Sequence, residues 1–338
     1  MPHDGTKHER MSGRPSAPGG CGRSYTGPVI APSAAPPEKI VAVHVGLLAW
    51  FQANQRDLPW RHTRNPYAIL VSEVMLQQTQ VDRVVPYYLG WLRAFPTIQA
   101  LADAPTAEVI RRWSGLGYNR RAVNLQRTAR AVVDDYGGVF PRTVEQLRAL
   151  PGIGPYTSGA IAAFAFEQDA GFIDTNMRRV LHRLFFGVDV PSPVATEREL
   201  TALAVEVVPP GEGWTWNQAL IEFGALQCTA RRPACVICPL QRDCAAYPAI
   251  QTAIRGLPVG ARLKREGTWE GSNRQARGRI VDMLRQHPTL SLDDLGSRVR
   301  PEYGESDRPW LYDLVRALER DGLTKVAEEG ETYVVTLP

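Results

Sequence analysis

The sequence predicts an all-α core followed by a small C-terminal module of three helices and two strands. From residue 38 to residue 250, apolar side chains recur at helical spacing, and Pro, Gly or a capping Asp, Ser or Thr separates the segments that carry them. Strand-like alternation of apolar and polar residues is almost absent before residue 330. With 44% hydrophobic and 22% charged residues, the 338-residue chain is predicted to fold into one large or two modest domains, which excludes a fibrous or wholly disordered protein.

The core helices follow one another in this periodicity. The first begins at Glu38, and Ile40, Val43, Leu47 and Phe51 contribute to its broad apolar face. Further helices are predicted over residues 68–82, 84–94, 106–112, 120–135, 143–149, 156–167, 175–186, 195–207 and 214–225.

The two flanks of the core differ from it in composition. Residues 1–37 hold 7 Pro, 6 Gly and 4 Ser and are predicted to form a flexible tail. Residues 251–275 lose helical periodicity and are predicted to be a linker. The C-terminal pattern suggests a winged helix, although a packing or dimerisation module fits it equally well. Its helices are predicted over 276–287, 291–299 and 307–321, and its strands over 323–327 and 332–337.

Charge and hydropathy narrow the range of partners. The formal net charge of +4 permits a nucleic-acid partner without requiring one. The apolar stretches fall far short of the roughly 20 residues that a bilayer span needs, and no secretory signal is recognisable. We therefore expect a soluble, cytoplasmic protein without a membrane partner.

Four of the five cysteines are clustered, which indicates metal ligation in a reducing compartment. Cys228, Cys235, Cys238 and Cys244 are separated by six, two and five residues, whereas Cys21 stands alone in the tail. Such a set can hold one tetrahedral zinc or one iron–sulfur cluster, and the uneven spacing favours a four-iron four-sulfur cluster. Neighbouring arginines could face a phosphate backbone or simply be solvated, namely Arg231, Arg232 and Arg242.

A glycine-containing turn lies between two predicted helices. The segment from Leu150 to Gly159 reads Leu-Pro-Gly-Ile-Gly-Pro-Tyr-Thr-Ser-Gly. Gly152 and Gly154 permit a tight turn whose backbone N–H groups point outward at the start of the next helix. A Gly-x-Gly turn alone is weak evidence, but the apolar helix that follows is typical of a helix-hairpin-helix that grips one nucleic-acid strand without reading its sequence.

Two carboxylates stand out because of their surroundings. Asp174 begins a predicted helix, where it could act as an N-cap or as a functional group. Glu73 lies on an otherwise apolar helical turn, where it could face solvent or be buried in a working site.

Along the chain these four segments follow the order Glu73, glycine turn, Asp174 and clustered cysteines. In this order they resemble the helix-hairpin-helix DNA glycosylases that carry an iron–sulfur cluster and are similar to endonuclease III. Within that group the chain most resembles the MutY family of adenine DNA glycosylases, and the string from Ser72 to Gln80 is specific to this branch. Beside the four cysteines, the resemblance rests on Leu58–Arg61, Ser72–Val81, Gly115–Tyr118, Phe140–Pro141, Leu150–Gly159 and Asp174–Arg183.

The resemblance implies a fold, a cofactor and a substrate. The implied fold is a six-helix barrel at about 65–170, beside a cluster domain built from 38–64 and 171–250. The implied cofactor is a 4Fe-4S cluster held by the four clustered cysteines. A monomer would bind double-stranded DNA containing an adenine mismatch, extrude the adenine and hydrolyse its N-glycosidic bond, leaving an abasic site.

The resemblance also assigns roles to individual residues. Glu73 matches the general acid, Asp174 the catalytic aspartate, and Asn176 a polar residue near the sugar. Tyr156 stands where lyase members of the superfamily carry a nucleophilic Lys, so monofunctional glycosylase activity is expected. The residues expected to contact substrate are Trp60 and Arg61 in the adenine pocket, Gln77 and Gln78 beside the vacated base, Tyr118 in an intercalating loop, and Gly152 and Gly154 in the hairpin.

Two departures from the family pattern affect recognition of the base opposite the target. Asn119 replaces a second Tyr that many relatives carry, and the predicted winged helix replaces a domain resembling nucleotide hydrolases. Arginines of the module are expected to add phosphate contacts, namely Arg274, Arg277, Arg279, Arg298 and Arg300. A mismatch thymine or uracil glycosylase and a redox-sensing DNA-binding regulator remain alternative functions.

Overall fold

The computed structural model describes residues 35–257, 270–330 and 332–338. Within these ranges the chain forms fifteen α-helices and one three-stranded sheet. Most of the predicted tail and the middle of the predicted linker lie outside the described residues. None of the described helices is long and apolar enough to cross a membrane.

Twelve α-helices precede residue 257. In chain order they are α1 (Pro37–Asn54), α2 (Pro66–Leu76), α3 (Val81–Ala94), α4 (Ile98–Asp103), α5 (Thr106–Arg112), α6 (Arg120–Tyr136), α7 (Val144–Ala149), α8 (Pro155–Phe166), α9 (Thr175–Leu181), α10 (Glu197–Glu206), α11 (Gly213–Leu226) and α12 (Ala249–Arg255). The predicted all-α core is confirmed, with no strand among its described residues.

Two predicted helix ends are wrong. The helix predicted over 68–82 ends at Leu76, and the chain turns through Gln78, whose φ is 56°, before α3 begins. The helix predicted over 175–186 is α-helical only to Leu181 and continues as one π-helical turn. The described ends of the predicted linker 251–275 hold the end of α12 and the start of the next helix, and the linker itself stays a prediction. The short helices α4 and α12 were not predicted.

Helices α2 and α8 form the centre of the core and pack against each other. Every residue of α2 from Tyr67 to Met75 is buried, as is every residue of α8 from Thr157 to Ala165. A helix buried on all sides must bury its polar residues too, so Glu73 lies inside the protein. The alternative of a solvent-facing Glu73 is wrong.

The C-terminal module begins with α13 (Asn273–Gln286) and ends with a β-hairpin. Its further elements are β1 (Thr289–Ser291), α14 (Leu292–Val299), α15 (Arg308–Arg320), β2 (Lys325–Glu329) and β3 (Thr332–Thr336). The three predicted helices and the hairpin are present, and β1 adds a third antiparallel strand in the order β1-β3-β2. The module has its own apolar cluster, which Ile110 of α5 and Val123 of α6 join, so it packs on these two core helices. The finer division of the core into barrel and cluster domain stays a prediction.

Candidate active site and cluster loop

A cavity of about 530 Å³ brings together residues from both halves of the core. Its walls come from the 3₁₀ helix Pro59–His62, from α2 and the turn after it, and from the starts of α8 and α9 together with one face of α11. We call this space the site cavity. Most of the predicted site residues line it, namely Trp60, Arg61, Glu73, Gln77, Gln78, Tyr156, Asp174 and Asn176.

Glu73 is a buried acid whose carboxyl group reaches the site cavity. Only 5% of the residue is exposed, and the Tyr156 hydroxyl donates a hydrogen bond of 2.8 Å to Oε2. Burial raises the pKa of Glu73 to about 7; the Tyr156 hydrogen bond opposes this shift, and the nearby Asp174 adds to it. A carboxyl group with this pKa can hold a proton at neutral pH and release it to a substrate.

Asp174 both caps α9 and lines the site cavity. Its Oδ1 accepts a hydrogen bond of 2.6 Å from the backbone N–H of Met177, and the Asn176 amide donates to Oδ2 at 3.4 Å. Burial raises the pKa of Asp174, while these hydrogen bonds and the charge of Arg179 oppose the shift. The two interpretations of Asp174 are therefore compatible, because one carboxylate oxygen serves the helix while the side chain also faces the cavity.

Arg179 connects the site cavity to the loop that carries the cysteines. Its Nη2 donates to Oδ1 of Asn176 at 2.8 Å and to the carbonyl of Gly224 at 2.5 Å, and its Nε donates to the carbonyl of Cys228 at 2.7 Å. The side chain of Asn176 is thus held by a residue that also holds the first cysteine. Sequence reasoning assigned no role to Arg179, although it lies in the segment that carried the resemblance.

Glu222 is a functional candidate that sequence reasoning missed. It is fully buried on α11 and accepts hydrogen bonds from Nη2 of Arg56 at 2.7 Å and from Nη2 of Arg61 at 3.1 Å. Burial would raise the pKa of Glu222, but these two guanidinium groups hold the pKa below its ordinary value. Arg61 also donates to Gln218 Oε1 at 3.0 Å. These hydrogen-bonded side chains form a fixed polar wall that suits the edge of a planar heterocycle. The sequence signal that could have located Glu222 was an acidic residue on an otherwise apolar helix, as at Glu73.

Two surface segments near the site cavity are tied together by Arg121. We call residues 77–80 the glutamine turn and residues 115–119 the tyrosine loop. Arg121 donates to the carbonyls of Met75 at 3.0 Å and Gln77 at 2.5 Å on one side, and to the carbonyl of Leu116 at 3.1 Å on the other. Tyr118 does not line the cavity, but its ring lies 5.5 Å from the Arg121 guanidinium carbon.

The predicted hairpin joins α7 to α8 outside the site cavity. Gly152 has a φ of +83°, and a Cβ there would lie 3.1 Å from Cβ of Asn124, so both the backbone angle and the space favour glycine. Gly154 caps α8, whose first turn carries Tyr156 into the cavity. The hairpin therefore places a helix N-terminus and the hydrogen-bond partner of Glu73 on one element, while its contact with DNA stays a prediction.

The four clustered cysteines line a second cavity, formed by the cluster loop, residues 228–244. Burial raises the pKa of Cys228, and it raises the pKa of Cys238 to about 11. The charges of Arg183 and Arg179 oppose the shift at Cys228, and a bound cluster would further favour the thiolate forms. The Arg183 guanidinium lies 3.6 Å from the Cys228 sulfur, and the Arg183 carbonyl accepts a hydrogen bond from Cys244.

The arrangement of the cysteines fits a polynuclear cluster better than one zinc ion. In the described ranges, no group of three or more His, Cys, Asp or Glu side chains is arranged to hold a single metal ion. All four cysteines instead line one cavity, which a shared cluster requires. The three nearby arginines that the sequence singled out are all exposed: Arg231, Arg232 and Arg242.

Two family models match the chain at these sites. Residues 71–205 match the HhH-GPD superfamily base excision DNA repair proteins, and residues 228–244 match the iron–sulfur binding domain of endonuclease III. The second match covers all four clustered cysteines, so the cofactor is the predicted 4Fe-4S cluster.

Curated relatives match most of the chain. The adenine DNA glycosylase of Mycolicibacterium smegmatis is 40% identical over 294 residues, which cover 85% of this chain and 97% of the relative. That of Mus musculus is 45% identical over 233 residues, which cover 65% of this chain and 45% of the relative. The chain thus spans nearly all of the bacterial relative and under half of the mouse one.

Solved structures share the fold of the core. A thermostable thymine-DNA glycosylase superposes with a TM-score of 0.58 at 33% identity, covering 62% of this chain and 97% of that one. An endonuclease III trapped as a covalent DNA intermediate gives a TM-score of 0.53 at 26% identity, covering 61% and 94%. These matches confirm the predicted glycosylase fold and its iron–sulfur domain.

Proposed function

The chain belongs to the adenine DNA glycosylase family, and from that membership we propose that it excises adenine mispaired with guanine or 8-oxoguanine from double-stranded DNA. The observation that carries the proposal is the pair of buried acids in the site cavity. Glu73 has a pKa of about 7 and a hydrogen bond from Tyr156, and Asp174 lies in the same cavity. Base extrusion would bring the adenine into this space.

In the proposed reaction Glu73 acts first as a general acid. Adenine leaves the deoxyribose readily only when a ring nitrogen is protonated, and the neutral Glu73 carboxyl group donates that proton. The electron pair of the N-glycosidic bond departs with the base, and positive charge develops on the sugar. The polar wall formed by Arg56, Arg61 and Glu222 holds the edge of the adenine.

Asp174 acts on the sugar in the second half of the reaction. Its ionised carboxylate stabilises the oxocarbenium-like sugar electrostatically or traps it covalently, as in retaining glycoside hydrolysis. Glu73, now a carboxylate, takes a proton from a water molecule whose hydroxyl adds to the sugar carbon. The products are free adenine and an abasic site, and both acids return to their starting states.

The cluster loop has a structural part in this proposal. A bound 4Fe-4S cluster would cross-link the loop through the four cysteines. Through the Cys228 carbonyl the loop holds Arg179, and Arg179 holds Asn176 beside Asp174. The chemical steps themselves are carried by this chain's side chains.

The rate of excision is expected to fall as pH rises through about 7. Glu73 must be protonated for the first step, and its pKa of about 7 places the alkaline limb there. Asp174 must be ionised, and its raised pKa shifts the acid limb upward from that of a free aspartate. Single-turnover rates measured between pH 5 and pH 9 would check this bell shape, and a rate that stays flat to pH 9 would contradict the role of Glu73.

A panel of duplexes tests the substrate assignment. Holoenzyme is incubated with A·8-oxoG, A·G, T·G, U·G and A·T duplexes, and release of each base is followed over time. Adenine release from the first two, with little from A·T, is expected. Release of thymine or uracil alone would assign the alternative glycosylase activity, and binding without any excision would favour the DNA-binding regulator.

A further inference from the structure

The C-terminal module holds the tyrosine loop from outside. Arg274, in the first turn of α13, donates a hydrogen bond to the Tyr118 hydroxyl, and its guanidinium carbon lies 4.8 Å from the centre of the Tyr118 ring. Arg285, in the last turn of the same helix, donates to Oδ1 of Asn119 at 2.9 Å and to the carbonyl of Ile110 at 3.1 Å. Both ends of α13 therefore contact the core at or beside the loop.

The contact between module and core is polar as well as apolar. Asp321 of the module pairs with Arg120 of α6 at 3.5 Å and with Arg277 of α13 at 2.5 Å. The Arg285 side chain is only 9% exposed, so its hydrogen bond to Asn119 is shielded from solvent. A planar guanidinium group with several fixed donors positions its partners more rigidly than a single surface charge would.

The tyrosine loop lies beside the glutamine turn, and it carries an exposed aromatic ring. Tyr118 is 47% exposed although it is a large aromatic residue, and its φ of 47° is unusual for a residue other than glycine. Arg121 ties the loop to the glutamine turn, which lines the cavity. An exposed ring in this position offers a face on which a base can stack.

The module is poorly suited to grip phosphates with its hairpin. The turn between β2 and β3 follows Glu328 and Glu329, whose charges repel phosphate groups. Arg300 is paired with Asp307 at 2.7 Å. Two basic residues of α13, Arg274 and Arg285, instead contact the core.

We propose that α13 sets the position of Tyr118 and thereby the preference of the enzyme for the base opposite the target adenine. Arg274 and Arg285 are positioning residues in this proposal, because they act through Tyr118 and Asn119. The inference rests on the proposed function and deepens it. It also assigns a role to Asn119, because the side-chain oxygen of Asn119 accepts the hydrogen bond from Arg285.

Arg274→Ala in the full-length holoenzyme tests the proposal, with Arg316→Ala as the matched control. Arg316 is an exposed arginine of the same module that pairs with Glu319 and lies over the Tyr312 ring, both of them residues of the module. For each variant, excision rate and equilibrium binding are measured on A·8-oxoG, A·G and A·C duplexes. We expect Arg274→Ala to lower the preference for A·8-oxoG over A·C about fivefold, the scale of one hydrogen bond with ring stacking.

Further variants separate positioning from simple destabilisation. Asn119→Ala should lower the preference in the same direction, while thermal unfolding of Arg274→Ala stays close to wild type. Combining Arg274→Ala with Tyr118→Ala should cause no more loss than Tyr118→Ala alone, because both changes remove one interaction. Additive losses in this cycle would contradict the proposal.

The outcomes distinguish this inference from the proposed function. If wild type releases no adenine from any duplex, the proposed function fails. If wild type does so but Arg274→Ala and Arg316→Ala behave alike, the inference alone is overturned. The inference is also overturned if Arg274→Ala weakens binding to every duplex equally. A slope of log affinity against log salt that is shallower by roughly 0.9 would then identify Arg274 as a phosphate contact.

Discussion

Glu73→Gln is expected to lower the single-turnover rate of adenine excision at least about a hundredfold while binding to A·8-oxoG duplex stays near wild type. Glutamine keeps an oxygen that can accept the Tyr156 hydrogen bond, which is 2.8 Å long in the wild-type chain. Its amide N–H is far too weak an acid to protonate the leaving base. The variant therefore removes the acid while preserving the shape of the cavity, and near-normal excision would refute the role of Glu73.

The pH dependence of unfolding gives an independent check on Glu73. Burial raises its pKa from 4.5 to about 7, so the folded state favours the neutral acid. The resulting stabilisation of the folded state is fully present below pH 4.5 and is lost as pH rises to about 7. Between pH 4 and pH 8, the free energy of unfolding of wild type should fall by about 3 kcal/mol more than that of Glu73→Gln, which has no carboxyl group to titrate at this position.

A matched control removes a carboxylate of the same kind from the surface. Glu197→Gln changes an exposed residue that pairs with Arg178 at 2.6 Å. It should change neither the excision rate nor the pH dependence of unfolding. A comparable loss of excision in both variants would mean that net charge, and not proton donation by Glu73, determines the rate.

The sequence was sufficient to predict the helical core and most of the site cavity. Periodicity located the helices because most of them bury one apolar face, and the residues taken from the resemblance converge on one cavity. The end of α2 was missed for a physical reason. Arg121 donates hydrogen bonds to the carbonyls of Val74 and Met75, which would accept backbone N–H groups in a longer helix. Because Arg121 is far from these residues in the sequence, the contact leaves no local signal.

The hydrogen-bond partners of the buried charged groups could not be predicted from the local sequence either. Glu222 and Arg56 are 166 positions apart, and their pairing depends on the packing of α1 against α11. The hydrogen bonds from α13 to the tyrosine loop likewise depend on how the C-terminal module packs on the core. Side-chain contacts of this kind are set by tertiary packing, and residue pattern identifies only that a charge has been placed among apolar neighbours.

Asp174→Asn is expected to abolish measurable excision while the fold remains intact. The amide keeps an oxygen that can accept the hydrogen bond from Met177, so α9 remains capped, and asparagine is as good an N-cap as aspartate. The lost negative charge is the group that would stabilise positive charge on the sugar. Excision is measured by single turnover, and folding by thermal unfolding and iron content.

A capping variant elsewhere separates the two roles of Asp174. Thr196 caps α10 because its side-chain oxygen accepts a hydrogen bond from the backbone N–H of Glu199, and it does not line the site cavity. Thr196→Ala should lose about 1 kcal/mol of stability and keep its excision rate. Asp174→Ser, which retains a capping oxygen without a charge, should behave in the opposite way, folded but inactive. Excision by Asp174→Ser and Asp174→Asn could instead fall only as far as their loss of stability explains. Asp174 would then be a helix cap alone, and another group would have to stabilise the positive charge on the sugar.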